Sequence, residues 1–155
     1  MSDDVVSVER VIPAPPEKIF ELLVYPESHR RIDGSGTVRE AKGDNKEERL
    51  KLGSKFGMHM KMGIPYSMES TVIEFEEGRR IAWQTWPPFG PKLFAGRIWR
   101  YELEPVEGGT KVTESWDISQ EKLSKPLVQM GGAKEKTRKN MAQTLENIEK
   151  LLANE

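Results

Sequence analysis

Trp99-Arg100-Tyr101-Glu102-Leu103-Glu104-Pro105 runs into Gly108-Gly109 and out again through Thr110-Lys111-Val112-Thr113-Glu114-Ser115-Trp116-Asp117-Ile118. Side chains along a strand alternate between faces. Trp99, Tyr101 and Leu103 therefore share one side of the first run, and Val112, Trp116 and Ile118 share one side of the second. A glycine pair between two such runs signals a hairpin. Closing it there is expected to pair Leu103 with Glu114, Tyr101 with Trp116 and Trp99 with Ile118. The two apolar faces then fall on one side of an antiparallel sheet, which checks the register independently.

The same alternation extends upstream. Phe56, Met58, Met60 and Met62 point one way, and Gly57, His59 and Lys61 the other. Glu76-Glu77-Gly78 predicts a three-residue loop with its glycine left-handed, pairing Phe75 with Arg79, Ile73 with Ile81 and Thr71 with Trp83. A turn at Gly63-Ile64-Pro65 faces Met60 with Glu69 and Met58 with Thr71 if the loop has four residues, or Met60 with Met68 if it has three. Residues 5 to 12 are β-branched and extended, and Pro13 stops them. Pro16 suits the first turn of a helix, and Ile19, Phe20, Leu22 and Leu23 carry helical spacing to about residue 24. Residues 26 to 32 add a further turn before Asp33-Gly34-Ser35-Gly36. At the far end Met141, Leu145, Ile148 and Leu152 form one stripe. A helix over 133–153 would be about 30 Å long. This order predicts an α+β domain spanning residues 1–155. It comprises a curved antiparallel sheet of six or seven strands, two short helices after the first strand, and a long C-terminal helix on the concave face.

At 155 residues the chain has one domain's worth of sequence and can bury a real core. With no cysteine, disulfides, thiolate metal sites and cysteine nucleophiles are excluded. Lys and Arg number 24 against 25 Asp and Glu, so no broad basic field exists to grip a nucleic acid backbone. Residues 1–6 are acidic, unlike a signal peptide, and no apolar run approaches membrane-span length. The expectation is a cytoplasmic protein without cofactor or metal. His29 and His59 stand in no metal-ligand spacing and are expected at the solvated surface. Phosphate loops, dinucleotide-binding glycine motifs and nucleophile elbows do not occur.

The parity places polar residues on the inner face: Glu69, Thr71, Thr85, Arg97, Tyr101 and Glu114. Charges on a buried face cost several kcal/mol unless paired or hydrated. A sheet curled around a partly wet cavity accounts for them; a solid core in which Met and Trp only fill space is the alternative. The residues expected to line a ligand site are Met58, Met60, Thr71, Trp83, Phe89, Arg97, Trp99, Tyr101, Glu114, Trp116 and Met141. Glu69, Tyr101 and Glu114 are the available general acids or bases.

Ala14-Pro15-Pro16-Glu17-Lys18-Ile19-Phe20-Glu21-Leu22-Leu23 after a strand resembles the opening of polyketide cyclase/dehydrase-type proteins of the START-like superfamily. The segments 72–83, 99–105 and 108–114 are similar to that family as well. The resemblance implies a helix-grip fold, a curved sheet gripping the last helix around a hydrophobic cavity. Members bind lipids or other apolar small molecules, or act as cyclases or dehydratases, and no universal catalytic motif carries across. The expected function is binding of an apolar or aromatic small molecule. The competing reading is a cyclase or dehydratase using a cavity Glu or Tyr, and a third is a groove for another protein chain. Residues 86–96, with Trp86, Phe89, Leu93 and Phe94 among three prolines, exceed the family's usual connection. They are expected to form a lid or an interface for a second copy of the chain.

Overall fold

The β-branched run at the start forms β1 (Val5–Ile12), and Pro16 opens α1 (Pro16–Leu23), whose inner face buries Ile19, Phe20, Leu22 and Leu23. Pro26 begins a 3₁₀ turn (Pro26–Ser28) that leads directly into α2 (His29–Ile32). The remaining strands are β2 (Val38–Lys42), β3 (Lys55–Met62), β4 (Ile64–Glu76), β5 (Arg80–Trp86), β6 (Arg97–Val106) and β7 (Gly109–Asp117), followed by α3 (Ala133–Ala153). These elements come from a computed structural model that describes residues 4–34, 38–42, 48–62, 64–86, 96–121 and 132–153.

The seven strands form one antiparallel sheet in the order β1-β7-β6-β5-β4-β3-β2. The architecture is the α+β arrangement expected, with α3 packed on the sheet through Met141, Thr144, Leu145 and Ile148. Ile148 and Leu145 join the core formed by Ile12, Phe20, Leu23, Ile81 and Val112, while Met141 packs with Val6, Trp116 and Ile118. Burying such side chains contributes roughly 1.5–3 kcal/mol each. On the opposite, outer face of the sheet, charges pair across strands. Arg100 grips Glu74 through two hydrogen bonds of 2.9 and 2.5 Å, and Arg80 reaches Glu102 at 3.2 Å.

All three hairpin registers differ from expectation. In the last hairpin Val106 pairs with Gly109, so Leu103 meets Val112, Tyr101 meets Glu114 and Trp99 meets Trp116. Gly109 has entered β7, and Gly108, at φ 90°, sits in the turn. That two-residue shift leaves every side chain on its expected face. β3 and β4 pair out to Met62 and Ile64, placing Met58 opposite Met68 and Met60 opposite Tyr66.

Between β4 and β5 the difference changes a face. Glu76 pairs with Arg80 around Gly78 (φ 73°), and the register then shifts at a bulge between Val72 and Glu74. Ile73 is the extra residue, and an extra residue reverses the alternation beyond it. Trp83 therefore meets Val72 and Thr85 meets Ser70. Met68, Ser70 and Val72 turn inward, which puts Glu69 and Thr71 on the other side.

Candidate functional site

A cavity of about 400 Å³ opens between the concave face of the sheet, α2 and the first half of α3. The strands supply Phe56, Met58, Met68, Trp83, Trp99 and Trp116 as its apolar wall, and α3 adds Ala133 and Met141. Polar groups enter the wall from the strands and helices: His29, Asp33, Ser70, Thr85, Arg97, Tyr101, Glu114, Lys136, Thr137, Asn140 and Thr144. Ser70 and Thr85 satisfy each other through a hydroxyl–hydroxyl hydrogen bond of 2.8 Å.

Tyr101 and Glu114 are direct cross-strand partners, and both side chains line the cavity. Burial pushes the Glu114 carboxyl up to about 8, against a smaller downward pull from Tyr101, and the negative charge of Asp33 adds to the rise. Glu114 is therefore mostly protonated at neutral pH. Burial likewise holds the Tyr101 phenol well above its ordinary value, reinforced by Glu114. Oε1 of Glu114 and Nε1 of Trp116 are buried without a hydrogen-bond partner among the described residues. An ionised carboxylate left so exposed to low dielectric would be costly, whereas a neutral one is tolerable.

Arg97 donates from Nε to Oε1 of Glu121 at 2.7 Å, with its Cζ 5.8 Å from the centre of the Trp116 ring. Its side chain is one-third exposed while that of Glu121 is fully buried. A cation thus stands on the cavity wall already neutralised by a carboxylate behind it.

His29 is buried, contrary to the surface position expected from its charged neighbours. Its ring stacks on Trp83 at 4.9 Å between centroids and meets Phe56 edge-on at 5.5 Å. Nε2 lies 2.9 Å from the carbonyl oxygen of Leu23. Burial lowers its pKa to about 4, outweighing the Leu23 hydrogen bond and Asp33, so the imidazole is neutral. The signal available in the sequence was the i, i+3 spacing of His29 and Ile32 on one helical face.

α2 and α3 are locked together beside the cavity. Thr144 Oγ1 accepts from the Gly34 amide at 2.8 Å and donates to the Asn140 carbonyl at 3.1 Å. Asn147 Nδ2 donates to the Ile32 carbonyl at 3.1 Å. A Cβ on Gly34 would stand 2.2 Å from the Asn140 oxygen, so only glycine permits this approach. Thr144 was legible as the polar residue interrupting the Met141-Leu145-Ile148 stripe.

The family profile for polyketide cyclase / dehydrase and lipid transport matches residues 4–153. The chain belongs to that family. Uncharacterized protein Rv0088 of Mycobacterium tuberculosis is 36% identical to this family member over 109 residues, 68% of this chain and 44% of that protein. The match thus spans less than half the relative's length. Protein CV1439 from Chromobacterium violaceum shares the fold with a TM-score of 0.71 at 17% identity, over 97% of both chains. A protein from Arthrobacter aurescens does so with a TM-score of 0.73 at 16% identity, over 98% of this chain and 87% of its own. These likenesses establish the helix-grip fold.

Within this polyketide cyclase/dehydrase and lipid transport fold, Met58, Trp83, Arg97, Trp99, Tyr101, Glu114, Trp116 and Met141 all line the cavity. Thr71 and Glu69 do not, because the Ile73 bulge turns them to the outer side; Glu69 is exposed. Only Tyr101 and Glu114 of the three acid–base candidates therefore meet. The Met60 and His59 side chains lie outside the described residues, as do Phe89 and positions 87–95 of the expected lid. His29, Asp33, Met68, Ser70, Asn140 and Thr144 on the cavity wall, and Glu121 behind Arg97, were missed. Among the described residues no group of three or more His, Asp or Glu could hold a metal ion, and no helix is long and apolar enough to cross a membrane.

Proposed function

We propose that this protein binds an apolar or aromatic small molecule in the cavity between the sheet and α3. The observation that carries this reading is the wall itself: three tryptophans, a phenylalanine and three methionines around about 400 Å³, with polar side chains from α2, the strands and α3 set among them. Such a wall suits a small-molecule pocket, where apolar area supplies affinity and polar groups set orientation. The Tyr101–Glu114 pair is uncharged at neutral pH, so it can orient a ligand oxygen without demanding a counter-ion. Native mass spectrometry of the protein purified from its own host tests the reading. An apolar molecule retained in the folded protein is the expected result. A protein that emerges bare and takes up no apolar probe refutes it.

A second reading, a cyclase or dehydratase, is favoured by one observation. A carboxyl held at about 8 beside a phenol is a proton donor matched to neutral pH. Incubating the retained molecule with the protein distinguishes the two. An unchanged ligand supports binding alone, and conversion that stops in Glu114→Gln supports catalysis.

A further inference from the structure

We propose that Nδ1 of His29 is the hydrogen-bond acceptor that selects the cavity's ligand, and that this ligand is a ring-containing apolar molecule bearing a hydroxyl group. The proposal rests on the binding reading above and specifies the class of ligand.

The tautomer follows from one contact. Nε2 of His29 faces the Leu23 carbonyl oxygen at 2.9 Å. A carbonyl only accepts, so Nε2 carries the proton and donates it. In a neutral imidazole the other nitrogen is then an acceptor. Nδ1 has no hydrogen-bond partner among the described residues, yet it is not one of the sealed polar atoms, which are Oε1 of Glu27, Oε1 of Glu114 and Nε1 of Trp116. His29 as a whole is only 7% exposed and lines the cavity, so the approach left to Nδ1 is from the cavity side.

The surroundings make that acceptor selective. Trp83 covers one face of the imidazole and Phe56 its edge, which excludes much of the water that would otherwise satisfy it. A phenyl ring could stack on Trp83 as well; the second nitrogen is what a histidine adds. A ligand hydroxyl can donate to Nδ1 while its ring packs against the aromatic wall. An ether or bare hydrocarbon of the same shape would leave Nδ1 desolvated and unpaired, a penalty that hydrogen-bonding sites use for discrimination.

The probes are 2-naphthol and 2-methoxynaphthalene, compared at neutral pH by equilibrium dialysis. The wild-type protein is expected to bind the naphthol about tenfold more tightly, and His29→Phe to bind the two within about twofold. In the ¹⁵N-histidine-labelled wild-type protein, 2-naphthol should move the Nδ1 resonance upfield while Nε2 stays protonated; 2-methoxynaphthalene should not. Equal wild-type affinities, a preference surviving in His29→Phe, or an unmoved Nδ1 each overturn the proposal while leaving the cavity as a binding site. If neither probe binds the wild-type protein, the binding reading falls and this one with it. Should His29→Phe not fold, the wild-type Nδ1 resonance decides alone.

Discussion

Tyr101 and Glu114 face each other across β6 and β7 as direct register partners, 5% and 3% exposed. A carboxyl placed so deep keeps its proton to a higher pH than it would in water, and the stability of the fold must register it.

Glu114 holds its proton to about 8 in the folded chain, against an ordinary value of 4.5. The folded state therefore binds more protons than the unfolded state between those values, and its stability falls as pH rises through them. The slope from this group is about 1.4 kcal/mol per pH unit. Urea denaturation of the wild type and Glu114→Gln at pH 5 and pH 9 checks this. The Gln variant should gain relative to wild type at the higher pH, and a constant difference would contradict the assignment.

His29 acts with the opposite sign. Its pKa falls from 6.5 to about 4 on folding, so its contribution is complete above 6.5 and is lost as pH drops towards 4. Between about 4.5 and 6.5 the two slopes offset each other; from 6.5 to 8 Glu114 acts alone. NMR titration should find the His29 ring neutral, with Nε2 protonated, down to about pH 5. A midpoint near 6.5 would place the ring in water.

Gly34→Ala should destabilise by about 1–3 kcal/mol, the usual range for forcing a methyl into packed structure. Its Cβ would meet the Asn140 carbonyl and the Thr144 amide, prising α2 from α3 and breaking the Gly34–Thr144 hydrogen bond. The denaturation midpoint reads this directly, and a midpoint equal to wild type would mean that the two helices are not in contact.

Leu145→Ala and Ile148→Ala should each cost on the order of 2–5 kcal/mol, because both side chains are buried in the core between α3 and the sheet. A loss below about 0.5 kcal/mol is the range of surface changes, and would show α3 undocked in solution.

Local patterning determined much of this protein. The span of β1, the start of α1 at Pro16 and the whole of α3 follow from residue types and their spacing, because prolines and periodicity act within a few residues of where they stand. The inner placement of Trp99, Tyr101, Glu114 and Trp116 was legible for the same reason, and it survived a register error because that error was even. The inner face of β4 was not legible. One bulged residue, Ile73, reverses the alternation, and a bulge is set by how two strands fit each other rather than by either alone.

Residue types and spacing alone thus determined an α+β fold with a long closing helix and an apolar face interrupted by Tyr101, Arg97 and Glu114. Only the tertiary structure decided that His29 leaves the solvent, that Gly34 lets α2 meet α3, and that Glu121 stands behind Arg97. Each joins segments distant in the chain or depends on what water is excluded. Helical and strand periodicity records which side of an element faces inward, but not which other element arrives there.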